Sequence, residues 1–84
     1  MPYVVYDIYH IHLAGGIVIK MIEWEDLPRE KRFPAMYRNA RPNDILNIRD
    51  FDGNIHMVLR KNILDVVLTT ECYEGPRPNF DSGN

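Results

Sequence analysis

Cysteine is nearly missing from this chain of 84 residues: Cys72 is the only one, so no disulfide can close within it. A lone cysteine also lacks the paired framework of small secreted domains and points to a reducing, cytoplasmic setting. Serine is scarcer still in useful places. The single Ser82 stands near the C-terminus, which excludes a serine nucleophile with its base. No apolar run approaches the roughly 20 residues that span a bilayer, so no membrane association is expected. The opening MPYVVYDIYHIH has neither a basic start nor an unbroken apolar stretch, so no secretory leader is expected either. There is no glycine-rich phosphate loop, because Ala14-Gly15-Gly16 precedes a β-rich run rather than a helix. Cys72 opens a Pro/Gly-rich tail, and nothing in the sequence marks it as a nucleophile. The acid pairs Asp50/Asp52 and Glu23/Glu25 fall in or beside turns, where acids have local reasons to sit. The expectation is a protein that binds rather than catalyses, with no cofactor.

A chain this short covers little of its own apolar surface, and small domains add metals or partner subunits to make up the margin. Net charge is −2, which argues against bulk attraction to nucleic acid. The charge is unevenly spread. Residues 1–28 carry Lys20 against four acids, residues 29–61 carry eight bases against four acids, and residues 62–84 carry Arg77 against four acids. The basic middle is rich in arginine, the side chain that grips planar anions through paired donors.

Two runs dense in β-branched and aromatic residues, Tyr3 to Leu13 and Ile17 to Trp24, flank Ala14-Gly15-Gly16 and predict a β-hairpin. A two-residue turn at either glycine step predicts the same faces. One carries Val4, Tyr6, Ile8, His10 and His12 beside Ile17, Ile19, Met21 and Glu23. The other carries Tyr3, Val5, Asp7, Tyr9, Ile11 and Leu13 beside Val18, Lys20, Ile22 and Trp24. Neither face is clearly wet, and a sheet apolar on both sides is covered on both. That predicts self-association, with Tyr3, Tyr9 and Ile11 near the contact. Across residues 27–40 the chain predicts one or two short helical turns, with Asp26 as N-cap, Pro28 in the first turn and Pro34 as an interruption. Arg41-Pro42-Asn43-Asp44 then makes a turn.

Asp52-Gly53 between two alternating runs is the signature of a type I′ hairpin. A two-residue loop pairs Asp50 with Ile55, Arg49 with His56 and Ile48 with Met57, and the rest follows. Leu46, Ile48, Ile55, Met57 and Leu59 then form an apolar face, while Asn47, Arg49, Phe51, His56 and Arg60 form a polar one. A three-residue loop scrambles that segregation. A last strand from Ile63 to Thr70 turns Leu64, Val66 and Leu68 inward. The expected fold is α+β and mostly β, a five-stranded antiparallel sheet or small open barrel in the order β-β-short α-β-β-β. One domain covers residues 1–71, and residues 72–84 form a Pro/Gly-rich arm.

Asp44, Asp52-Gly53 and the Asn62-Ile63 edge give the segment 43–71 a resemblance to the strand-DG-strand-short strand core of Sm-like and SH3-like small barrels. The resemblance covers about a third of the chain and implies RNA binding for an Sm-like protein. In size the chain also resembles small phage-type proteins that trap a host nucleotide signal.

Two constellations carry binding chemistry. His10 and His12 alternate on one strand, a spacing that sets two imidazoles on one face for a metal ion. True sites usually add a second ligand pair, which is missing here, so metal is disfavoured. Arg49, Arg60, His56, Phe51 and Asn47, with Tyr37, Arg38 and Arg41 from the preceding connection, suit an anionic, nucleotide-like ligand better. Guanidinium forks take phosphate oxygens, and an aromatic plane takes a base. The leading expectation is a homo-oligomeric, non-catalytic protein holding such a ligand. Its main rival is a protein-interaction module, an inhibitor or adaptor, using the Tyr-rich hairpin and the C-terminal arm.

Overall fold

The computed structural model describes residues 3–24 and 26–74, with backbone alone at 3, 4, 73 and 74. Among the described residues the chain is mostly β, with one α-helix. Strand β1 (Tyr3–Leu13) and β2 (Val18–Trp24) lead to α1 (Phe33–Asn39), then β3 (Ile45–Arg49), β4 (Ile55–Leu59) and β5 (Ile63–Glu74). All pairings are antiparallel. The five strands do not share one sheet: β2-β1-β5 form a three-stranded sheet and β3-β4 a separate two-stranded one, with no closed barrel. Strand β5 also runs past the expected end at Thr70, so residues 72–74 belong to the sheet. The rest of the expected arm, 75–84, lies outside the described residues.

Both hairpins form where the glycines stand, and both slip by one residue from the two-residue reading. Leu13 pairs with Ile17 around the loop 14–16, with the Leu13 N–H donating to the Ile17 carbonyl at 2.8 Å. Gly15 (φ 95°) and Gly16 (φ 88°) supply left-handed backbone that other residues avoid. In the second hairpin Asp50 pairs with Asn54 around Phe51-Asp52-Gly53. Only Gly53 has positive φ, at 89°. A type I′ turn needs positive φ at Asp52 as well, so the turn is instead the three-residue kind, closed by one left-handed glycine.

One residue of slip moves a whole strand to the other face. In the first hairpin Tyr9 now faces Met21 and Ile11 faces Ile19. Each strand's alternation holds, but the two strands combine in the opposite sense. In the second, Leu46 pairs with Val58 and Ile48 with His56, while Ile45, Asn47 and Arg49 share the outer side with Leu59, Met57 and Ile55. Met57 and Ile55, expected inside, are 77% and 58% exposed.

The core lies between the Tyr9/Ile11 side of the larger sheet and the Leu46/Ile48/Val58 side of the smaller one, with Phe33 of α1 wedged between. Phe33 is 1% exposed, and burying one such side chain is worth about 1.5–3 kcal/mol. Tyr9 and Ile11, expected at a subunit contact, are buried in this internal core. The side chain of Tyr3 lies outside the described residues. The pairing of β1 with β5 is interrupted between His12 and Leu13: Leu13 faces Ile63 and His12 faces Asp65. The extra residue, Leu64, is pushed out and is 69% exposed. Leu68 shares the inner side with Val66 but lies beyond the cover of α1's cluster and is 51% exposed. Leu64 thus departs from the expected inward side, Leu68 keeps that side but is not covered, and Ile63 is buried in their place, at 5%.

The connection after β2 is a 3-10 turn at Arg29–Lys31 followed by α1. Asp26 caps neither, since their N-cap residues are Pro28 and Arg32. Pro34 opens α1 instead of breaking it, which its fixed φ and missing donor allow. The first N–H of α1, which has no partner within the helix, is satisfied from a distance: the Phe33 N–H donates to Glu23 Oε2 on β2 at 2.8 Å. No helix among the described residues is long and apolar enough to cross a membrane.

Candidate ligand cleft

Between β2, the 3-10 turn, α1 and the end of β3 lies a cleft of about 280 Å³. Its floor is apolar, from Met21, Ile22, Leu27 and Met36, and its rim carries Lys31, Asn47, Arg49 and Phe51 with two acids, Glu23 and Asp50. The alternation of β3 places Asn47 and Arg49 two residues apart on one side. Phe51 is fixed by the turn itself: its N–H donates to the Lys20 carbonyl at 2.8 Å, and Lys20 Nζ sits 4.6 Å from its ring centre. That bond also joins the second hairpin to the edge of β2.

Both acids are engaged inside the chain. Asp50 Oδ1 accepts the N–H groups of Asp52 and Asn54, each at 2.9 Å, and Oδ2 meets His56 Nε2 at 2.7 Å. The His56 hydrogen bond first, then those backbone donors, hold the Asp50 carboxyl below its ordinary value. Glu23 Oε2 takes the Phe33 N–H, and Oε1 is buried without a hydrogen-bond partner among the described residues. Burial pushes the Glu23 carboxyl above its ordinary value, against the pull of the Phe33 N–H, the Tyr9 phenol and Arg32. The Tyr9 phenol is in turn pushed up, by burial and then by Glu23 and Asp7. Beside these acids the cleft is lined by Lys31 and Arg49, the Asn47 amide and the Phe51 ring.

The eight expected ligand residues do not meet at one place. Asn47, Arg49 and Phe51 share this cleft. His56 points to the inner side of its hairpin, where it partners Asp50 and lines a second hollow with Val18, Lys20 and Asp52. Arg60 follows β4, and its N–H bonds the Asp44 carbonyl, so it lies at the opposite end of the hairpin from Arg49. Five strand residues of separation is about 17 Å, too far for both guanidinium groups to grip one phosphate. Arg60 instead lies over the Tyr37 ring at 4.0 Å and donates Nε–H to the Tyr37 carbonyl at 3.4 Å. Arg38 and Arg41 are exposed near that same end, where the Arg38 Nε–H reaches the Pro34 carbonyl at 3.3 Å.

His10 and His12 do share a face, half-buried, as expected from their spacing. Lys20 stands directly opposite His10, a poor neighbour for a cation. Among the described residues no three His, Cys, Asp or Glu side chains are grouped to hold a metal. Sequence reasoning missed Lys31 and Glu23. Lys31 gave no local signal. Glu23 gave one, as the single acid in the run IVIKMIEW, on the side that proves to face the core. Compared with family models, curated proteins and solved structures, the chain matches none.

Proposed function

We propose that the chain is a non-catalytic binding protein for a small anion with a flat apolar part, nucleotide-like in chemistry, held in the cleft at Arg49. The carrying observation is the convergence of Lys31, Asn47, Arg49 and Phe51 over an apolar floor while both lining acids are turned to internal partners. Small-molecule sites combine an apolar lining with a few placed polar groups in this way. A charge-assisted hydrogen bond from Arg49 to an anionic oxygen contributes about 1.5–3 kcal/mol, at least about tenfold in affinity. The test is a thermal-shift screen of nucleoside mono-, di- and triphosphates, followed by calorimetric titration of the best binder. Arg49→Ala weakens that binder at least about tenfold, and Arg49→Lys recovers only part, since an ammonium lacks the fork. Arg60→Ala binds like the natural chain. Equal losses in the two alanine variants overturn the reading.

A second reading, a protein-interaction module, has its own observation: Ile45, Ile55 and Met57 stand exposed together on the outer side of β3-β4, and contiguous apolar surface marks contact sites. The order β3-β4, a 3-10 turn at Arg60–Asn62 and β5 supports the Sm-like or SH3-like resemblance as a description of local architecture. An RNA-binding role for it ranks third.

A further inference from the structure

Strand β5 is the edge of the larger sheet among the described residues, and it is long, running from Ile63 to Glu74. Every second residue of an antiparallel edge turns its N–H and C=O away from its neighbour, which is a template for another strand. Natural edges are guarded with charged side chains, lysine above all, with proline, with bulges or with shortness. Strand β5 has no lysine, arginine or proline, and Leu64, Val67 and Leu68 on it are 69%, 44% and 51% exposed. The bulge at Leu64 disturbs only its first residues.

The charges on this edge decide what fits. Asp65, Glu71 and Glu74 are its only charged residues. Asp65 and Glu71 lie on one side of the sheet, both exposed, with no ion pair among the described residues. They are about 20 Å apart along the strand. A second copy fits poorly. An antiparallel pairing about a twofold axis normal to the sheet, centred on residue 66, 67 or 68, sets Asp65 diagonal to its own copy, Glu71 diagonal to Asp65, or Asp65 directly opposite Glu71. Like charges directly opposite are destabilising, and the diagonal arrangements bring like charges near each other without a compensating base. Beside the edge a groove of about 290 Å³ runs between β5 and α1, lined by Phe33, Pro34, Tyr37, Leu64 and Val66 with two charged residues, Arg38 and Asp65.

We propose that β5 is a docking edge for an extended segment of a partner protein that carries lysine or arginine at two positions six residues apart and apolar side chains between them. Main-chain hydrogen bonds add the segment to the sheet, as in other strand-addition complexes. The two basic residues face Asp65 and Glu71, and an apolar residue between them enters the groove beside α1.

The test uses the full chain, ¹⁵N-labelled, titrated with a capped peptide that has lysine at both ends and Thr-Thr-Val-Val-Ile between them. A second peptide has glutamate at both ends. The lysine peptide shifts and slows the exchange of amides along β5, and the glutamate peptide binds at least about tenfold more weakly. The exposed double variant Asp65→Lys with Glu71→Lys reverses that preference. Equal binding of the two peptides by the natural chain overturns the proposal, as do shifts confined to residues outside β5. Protection of β5 amides that rises with protein concentration in the absence of peptide also overturns it, assigning the edge to a second copy.

Discussion

The two hairpins close on loops of equal length by different means. The β1-β2 loop uses two consecutive left-handed glycines, Gly15 and Gly16, and backbone bonds alone. The β3-β4 loop has one such glycine, Gly53, and enlists side chains: Asp50 collects two backbone N–H groups and His56, and Phe51 is docked onto β2. Backbone permissiveness is enough where a turn only has to reverse the chain. Where the turn also presents Arg49 and Phe51 to a cleft, a network of polar contacts holds it in place. The first loop should therefore tolerate change in proportion to backbone strain, and the second should respond to pH and to side-chain loss as well.

The sharpest break of this comparison is the register itself. Ile48 is fully buried and Met57 is 77% exposed, although a two-residue loop would bury both. Ile48→Ala is expected to cost about 2–5 kcal/mol, whereas Met57→Ala stays within about 0.5 kcal/mol, by chemical denaturation. Comparable losses at the two positions would restore the two-residue register.

Next come the glycines. An alanine Cβ at Gly15 meets nothing within 4 Å, so Gly15→Ala isolates the cost of left-handed backbone, about 1–2 kcal/mol. Gly53→Ala carries the same strain of about 1–2 kcal/mol in a loop that the Asp50 hydrogen bonds also depend on, so it should lower the melting temperature further. Asparagine, which tolerates this conformation, should recover part of the loss at Gly15. A larger loss at Gly15 than at Gly53 would reverse the comparison.

Smaller effects follow from titration. The folded-state pKa of Glu23 is raised, so the fold disfavours its charged form. Stability from this group falls as pH rises from the unfolded value near 4.5 through the folded one. Glu23→Gln keeps an oxygen for the Phe33 N–H and should flatten that slope, raising the melting temperature at neutral pH. For Asp50 the folded pKa is lowered. Its contribution is present above the unfolded value of 3.8 and is lost as pH falls through the folded one. Asp50→Asn should abolish that acid-side loss and start from a lower melting temperature. Parallel pH profiles for Asp50→Asn and the natural chain would break the assignment of this network to the second loop.

The positions of the strands and of the helical connection were readable from sequence alone because they rest on local physics. Period-two runs of β-branched residues make strands, Gly15-Gly16 and Gly53 punctuate them, and the prolines confine the middle to short helical turns. The composition of the candidate cleft was partly readable for the same reason: Asn47, Arg49 and Phe51 follow from the alternation of one strand and its turn. Everything that required two segments to meet was decided by the tertiary structure. Two- and three-residue loops differ little in local free energy, so the choice fell to burial of Leu46, Ile48 and Val58 against Tyr9, Ile11 and Phe33. Those residues are remote in sequence from the turns they settle. That choice turned Met57 outward, and the packing of the helical connection brought Lys31 and Glu23 to one cleft. A strand's pattern names the two sets of side chains it offers, but only the surface waiting to cover one of them decides which set becomes the core.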